Sequence, residues 1–346
     1  MPRKTKYNKI TTPEKLAQVN PENIQLKDDF ANYLSSIQRA PQTISQYMYD
    51  LNIFFVWNLE HNNNKSFVDV TKRNIVAFQR WVIDENKNSP GRVCRIKSTL
   101  SSLSNFIESI LDDEYKDFRP IIRKVESPTN QKVREKTVLE DEQVQFLLDY
   151  FTEREQYDKA CVFALAAMSG RRKSELPRFK VSYFDDCNKV CGGCLYKTPE
   201  KIKTKGHKGT GSTGKMISVY TLADEFKPYF DRWMNYREEH GIESEWLFPS
   251  KANPDEPISI STLDSYAHTA SRILGDDFYF HALRHYFTTR LSKLGVPDSA
   301  IQMLIGWSDI SMVGVYKDID ADDELSKYFT SDGIAGAKSV SIGDLL

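Results

Sequence analysis

A chain of 346 residues with 40% apolar content is long enough to bury two cores, and no run of about 18 apolar residues marks a membrane span. The formal net charge of −1 gives no global reason to expect a nucleic-acid partner. Charge is uneven, however: Arg3, Lys4, Lys6, Lys9 and Lys15 face only Glu14 near the start, whereas Asp320, Asp322, Asp323 and Glu324 crowd the C-terminal region, so local basic patches stay open. The opening MPRKTKYNKI lacks the apolar stretch of a secretory leader, and the odd number of cysteines suits a reducing compartment. A cytoplasmic protein with free thiols is expected.

Residues 1–20 read as a basic arm. From Pro21 to Glu126 the apolar residues recur at helical spacing, as in Leu51, Phe54, Phe55 and Leu59, or Ile96, Leu100, Leu103, Phe106, Ile107 and Leu111. Pro41 opens one helix, Asn62-Asn63-Asn64 ends it, and Ser89-Pro90-Gly91 precedes another, which predicts a small all-helical domain over 21–126. Residues 127–137 begin Ser127-Pro128-Thr129-Asn130, show no apolar period and read as a linker. A second domain over 138–330 starts with helices near 140–151 and 157–168, the latter stopped by Ser169-Gly170. Between about 180 and 222 the texture turns Lys/Gly/Thr-rich and ends in Met216-Ile217-Ser218-Val219-Tyr220, which predicts a strand within a small antiparallel sheet. Helical patterns return at 224–240, 260–274 and 281–294. A tail over 331–346 follows, with an apolar end at Ile342, Leu345 and Leu346. The fold class is therefore mainly α with a minor antiparallel sheet.

Separated pieces carry the chemistry: Ser169-Gly170-Arg171-Arg172-Lys173-Ser174-Glu175-Leu176, then His281-Ala282-Leu283-Arg284-His285, then Leu304-Ile305-Gly306-Trp307, then Tyr316. On the helix opening near 281, Leu283, Phe287, Leu291 and Leu294 form the expected buried stripe, while His281 and Arg284, three apart, share a neighbouring face. An imidazole and a guanidinium then point into one place. In the first domain, Thr43, Ser45, Gln46 and Tyr47 at one helix start, and Arg92, Arg95, Lys97 and Ser98 at another, are residue types suited to phosphates, though equally to ordinary caps and solvated faces.

The order and spacing of these pieces, with Tyr316 nine residues past Trp307, resemble the tyrosine recombinase (phage integrase) family, and the resemblance covers most of the second domain. It implies a helical core-binding domain joined to an α+β catalytic domain, the two forming a clamp around duplex DNA. By motif, Arg172 matches the first family arginine, His281 and Arg284 the second box, and Tyr316 the nucleophile. Trp307 stands where many relatives have His, which keeps an N–H donor and removes a titratable group. The family's catalytic lysine lies in a β-hairpin. Here the candidate is the stretch from Lys197 to Lys215, with Lys205 before Gly206 and Lys203 before Thr204 as the alternatives. The resemblance further implies a 3′-phosphotyrosyl intermediate, a Holliday junction, a homo-tetramer on a double-stranded recombination site, accessory factors in some cases, tail exchange between protomers, and no metal, cofactor or ATP.

Two enzymatic readings compete. Cys187, Cys191 and Cys194 have the spacing of a radical iron–sulfur enzyme, or with His207 of a zinc site, but the repeated β/α pattern of a barrel is absent and Gly192-Gly193 suits a turn of the lysine hairpin. A type IB topoisomerase shares the Arg, Lys, His and Tyr chemistry; the Gly-Trp variant and compact helical first domain favour a recombinase. A non-cleaving DNA-binding protein of the same fold is a third reading, against which the completeness of the motif set argues.

Overall fold

The computed structural model describes residues 10–129, 137–204, 215–275, 277–316, 329–330 and 333–334. The chain divides into two compact units, one built on residues 10–129 and the other on the described residues from 137 onward. Residues 1–9 of the basic arm, the middle of the linker, Lys205, His207 and the apolar end of the tail lie outside the described residues.

The first unit is helical: α1 (Pro13–Leu16), α2 (Pro21–Ser36), α3 (Pro41–His61), α4 (Lys72–Asp84) and α5 (Pro90–Ile110). Local signals set the boundaries. Pro41 and Pro90 occupy first-turn positions where a missing N–H costs nothing, Ser89 accepts from the Arg92 amide, and Thr71 with Asn74 closes a capping box on α4. After α3 the chain turns through Asn63 and Asn64, both at positive φ, and Asn64 pins Asn20 through paired side-chain and main-chain hydrogen bonds. The core is aromatic, with Phe54 in contact with Phe55, Trp57, Phe67 and Phe78.

The second unit contains α6 (Asp141–Glu153), α7 (Tyr157–Ser169), α8 (Ala223–Glu239), α9 (Ile260–Leu274), α10 (Phe280–Lys293), α11 (Asp298–Ile305) and α12 (Ser311–Tyr316). Both α7 and α10 run through the interior: Ala160 to Ser169 and Ala282 to Thr289 are buried without interruption. Phe163 of α7 stacks on Phe151 of α6 at 5.3 Å and on Phe280 of α10 at 5.2 Å, which fixes where α10 begins. A smaller cluster of Phe287, Leu291, Ile301, Ile305, Trp307 and Val313 binds α11 and α12 to the far end of α10. Leu294 departs from the expected stripe; it caps α10 and is 69% exposed.

The strands are β1 (Lys189–Val190), β2 (Leu195–Lys197), β3 (Ile202–Thr204), β4 (Lys215–Ile217), β5 (Tyr220–Leu222), β6 (Phe329–Thr330) and β7 (Gly333–Ile334). All pairings are antiparallel, in the orders β1-β2-β5, β3-β4 and β6-β7. The single strand expected over Met216–Tyr220 is split. Lys197 pairs with Tyr220 and Ile202 with Ile217, so the segment Thr198–Lys201 bulges against Ser218-Val219. Pro199 within that bulge has no N–H to donate, and Thr198 satisfies Val219 instead, accepting its amide at 3.0 Å and donating its own at 2.9 Å. The cysteine turn and the lysine hairpin, expected to coincide, are separate: Cys191 to Cys194 closes β1 onto β2, whereas the lysine hairpin is β3-β4.

Candidate active site

The first arginine box follows directly from the end of α7. Gly170 caps the helix at φ 61°, a left-handed conformation that an L side chain adopts only with strain, and a Cβ there would lie 2.6 Å from Cδ1 of Phe287 on α10. The two central helices approach closely because this position is glycine. The turn then buries Arg171 and leaves Arg172 partly exposed. Arg171 is fully buried, donating through Nε to the Ser169 carbonyl at 3.1 Å and through Nη2 to the Leu304 carbonyl at 3.0 Å. Desolvation pulls its pKa down to about 10, although Glu175 opposes the fall. Arg172 keeps 30% of its side chain exposed, and its Nη1 and its backbone N–H both donate to the buried Glu175 carboxylate, at 3.1 and 3.2 Å. Arg172 is therefore the member of the pair available to a ligand.

The second box reaches the first through backbone. Arg284 is fully buried on α10 and donates through Nη1 to the Gly170 carbonyl at 2.8 Å, while its guanidinium carbon lies 5.0 Å from the centre of the Trp307 ring. His281, one turn earlier, is half-buried with its ring edge-on to His285 at 5.6 Å. Trp307 leaves α11 through Gly306, at φ 75°, where a Cβ would collide with Ile217 of β4. That contact seats the β3-β4 stem beside the Trp307 segment. Arg178, in the short turn after Glu175, donates to the Lys203 carbonyl and fixes β3 to the first arginine box. Lys203 is exposed on β3 opposite Met216, and Lys205 begins the stretch outside the described residues. Tyr316 is the last residue of α12, which Val313 anchors in the cluster around Trp307. Arg284 thus meets the Trp307 ring and the carbonyl of Gly170, two residues before Arg172 in the same turn.

The first unit treats its expected DNA-facing residues unequally. Arg92 and Arg95 sit on the first turns of α5, with 16% and 49% of their side chains exposed. Thr43 is half-buried at the start of α3. Tyr47 faces inward, its ring stacked on Phe30 at 6.1 Å. Lys97 is a correction: it is only 5% exposed, and its ammonium donates to the Val125 carbonyl at 2.6 Å and the Ser127 hydroxyl at 3.0 Å. Burial lowers its pKa. Tyr49 and Asp50 carried no expectation. Tyr49 is exposed beside Arg92, and Asp50, also on α3, is buried against Arg92 and Arg95. The available signal was a carboxylate on the same helical stripe as Ile53, Phe54 and Trp57, a position that requires buried partners.

Cys187, Cys191 and Cys194 are exposed free thiols, and among the described residues no group of three His, Cys, Asp or Glu could hold a metal ion. No helix among them is long and apolar enough to cross a membrane.

A buried arginine that joins one tryptophan to the turn of a distant arginine box, on a mainly helical scaffold with small antiparallel sheets, defines the tyrosine recombinase class of enzyme. Comparison with known proteins agrees. Residues 137–322 match the model of the phage integrase family, and residues 26–117 match its N-terminal SAM-like domain. The chain belongs to the phage integrase family, whose members are site-specific recombinases. It is 27% identical over 263 residues to the SPbeta prophage-derived recombinase-like protein YomM of Bacillus subtilis, covering 75% of this chain and 74% of that protein. It is 25% identical over 325 residues to the tyrosine recombinase XerC of Caldanaerobacter subterraneus, covering 85% and 82%. The solved structure of a lambda integrase dimer bound to a COC′ core site aligns with a TM-score of 0.61 at 21% identity, covering 89% of this chain and 81% of that one, and so shares the fold.

Proposed function

We propose that this chain cuts and rejoins DNA strands at a specific site with Tyr316 as nucleophile. The observation that carries the reading is the 2.8 Å hydrogen bond from Arg284 to the Gly170 carbonyl, which sets the second-box guanidinium against the turn that presents Arg172. In this reading the two guanidiniums bind the non-bridging oxygens of the scissile phosphate and stabilise the charge that grows in the transition state. Their charge does the work a metal ion does elsewhere, so neither metal nor ATP is required. The Tyr316 oxygen attacks phosphorus, the bond to the 5′ oxygen breaks, and the DNA is left joined to the protein through a 3′-phosphotyrosyl ester. An ordinary phenol ionises near pH ~10, so its proton must leave during attack; His281 takes it or shares it. The hairpin lysine, Lys205 or Lys203, protonates the departing 5′ oxygen. Trp307 packs on Arg284 and holds its orientation.

Because the ester retains the bond energy, the 5′ hydroxyl of a second strand reverses the step, and paired exchanges pass through a Holliday junction. A homo-tetramer on DNA, with tail 331–346 exchanged between protomers, is the corresponding assembly. A lambda integrase tetramer bound to a Holliday junction has the same fold, with a TM-score of 0.61 at 19% identity over 85% of this chain and 76% of that one. The Bacillus subtilis relative is named recombinase-like and the Caldanaerobacter subterraneus relative a tyrosine recombinase, which favours strand exchange over supercoil relaxation. The test is a nicked suicide duplex built from the DNA bordering the gene. The unsubstituted chain should trap a covalent adduct without added metal, and Tyr316→Phe should abolish it. An adduct that persists in the variant removes Tyr316 as nucleophile.

A further inference from the structure

We infer that Asp50 is a positioning residue that holds Arg92 and Arg95 as a preset clamp for a phosphate of the DNA backbone. The inference rests on the DNA-recombinase reading above and assigns a role to a residue no motif contains.

Asp50 lies on α3 with its side chain wholly buried, in helical register with Ile53, Phe54 and Trp57 of the aromatic core. A carboxylate in that setting persists only if its oxygens are supplied with donors. Thr99 Oγ1 and Gln46 Nε2 each donate a hydrogen bond at 3.1 Å, and the charge is met by ion pairs with Arg92 Nη1 at 2.7 Å and Arg95 Nη2 at 3.5 Å. Three of these partners come from one face of α5 and one from the preceding turn of α3. The carboxylate thus joins the two helix starts at which phosphate-suited residues were expected. Burial still pushes its pKa above the ordinary carboxylate value, with Arg95, Thr99 and Gln46 working against that rise.

One carboxylate faces two guanidiniums, so the cluster keeps a net positive charge. It sits in the first turns of α5, where the helix dipole adds to it. Arg95 carries that charge outward with half its side chain exposed, and Arg92 lies with its guanidinium carbon 5.7 Å from the centre of the exposed Tyr49 ring. An arginine free in water loses much rotamer freedom when it grips a phosphate, whereas one already held along one edge of its guanidinium loses little. Asp50 supplies that hold from inside the protein, leaving the outward N–H groups for an anion.

The inference is testable by sign. Asp50→Asn removes a negative charge from beside the arginines while nearly preserving shape. Electrostatics alone would then tighten DNA binding and steepen its salt dependence. A positioning role requires the reverse. Binding of the full chain to a fluorescent mixed-sequence 30-base-pair duplex is measured across a salt series. Asp50→Asn is expected to bind about tenfold more weakly, with the slope of log K against log salt shallower by roughly 1–2. In an Arg92→Gln/Arg95→Gln background, Asp50→Asn should weaken binding no further, a readout that a merely structural role would not give. Equal or tighter binding by Asp50→Asn overturns the inference, as does an equal loss in the arginine-substituted background. Failure of the unsubstituted chain to bind any duplex would remove the recombinase reading together with this one, whereas either of the former results removes this one alone.

Discussion

Adjacent arginines with unlike surroundings divide the labour at the head of the catalytic unit. Arg171 spends its guanidinium on main-chain carbonyls of Ser169 and Leu304 and so ties the first arginine box to the segment that carries Trp307. Arg172, held by Glu175 on one side, leaves the other side open. Their substitution should separate stability from chemistry. Arg171→Ala leaves buried acceptors without donors and is expected to cost about 3–5 kcal/mol in denaturant unfolding. Arg172→Ala should unfold almost normally while slowing adduct formation on the suicide duplex by about a thousandfold or more, the scale on which a transition-state arginine acts in phosphoryl transfer. A variant pair with the reverse pattern would exchange the two assignments. The spacing Gly-x-Arg-x-x-Glu selects Arg172 in the sequence, and Arg172 is the partly exposed member of the pair. What the spacing does not contain is the burial of Arg171, because its partner Leu304 lies 133 residues away.

At the level of elements, the left-handed helix endings at Gly170 and Gly306 do the positioning. Gly306 lets α11 stop, turns the chain toward Trp307, and makes room for Ile217 of the β3-β4 stem. Gly306→Ala would impose both an unfavourable φ, worth about 1–2 kcal/mol, and a collision. The collision part should vanish when Ile217 is shortened, so Gly306→Ala is expected to destabilise the Ile217→Ala protein measurably less than the parent in thermal unfolding. Equal costs would mean that the stem does not press on this turn. The helices were legible in the sequence because period and punctuation agree, as at Pro41 and Ser89. The sheets were less so. A run such as Met216–Tyr220 reads as one strand by composition, and only the pairing partners across the bulge at Thr198–Lys201 divide it in two. Lys97 misled for a related reason: its hydrophilic head suggests a surface, but its stem is long enough to deliver the ammonium to Val125 and Ser127 at the edge of the core.

For the molecule as a whole, two cores that share no residues imply two cooperative units. Phe54→Ala and Phe163→Ala each empty the centre of one core at a cost of about 3–5 kcal/mol. Calorimetry is expected to show each substitution moving a different transition; one transition shifted by both would mean that the units melt together. The fold class was readable from apolar periodicity, whereas the buried polar residues Asp50, Arg171 and Lys97 were not, since each is compensated by groups distant in sequence. The arginine anchors also bear on how such an enzyme drifts over evolutionary time. Arg284 grips the oxygen of Gly170, and Arg171 those of Ser169 and Leu304, all of which belong to the main chain. An oxygen of that kind survives any change of side chain that spares the backbone path. The side chains around these anchors are therefore free to change without loosening them, so long as the backbone path is kept.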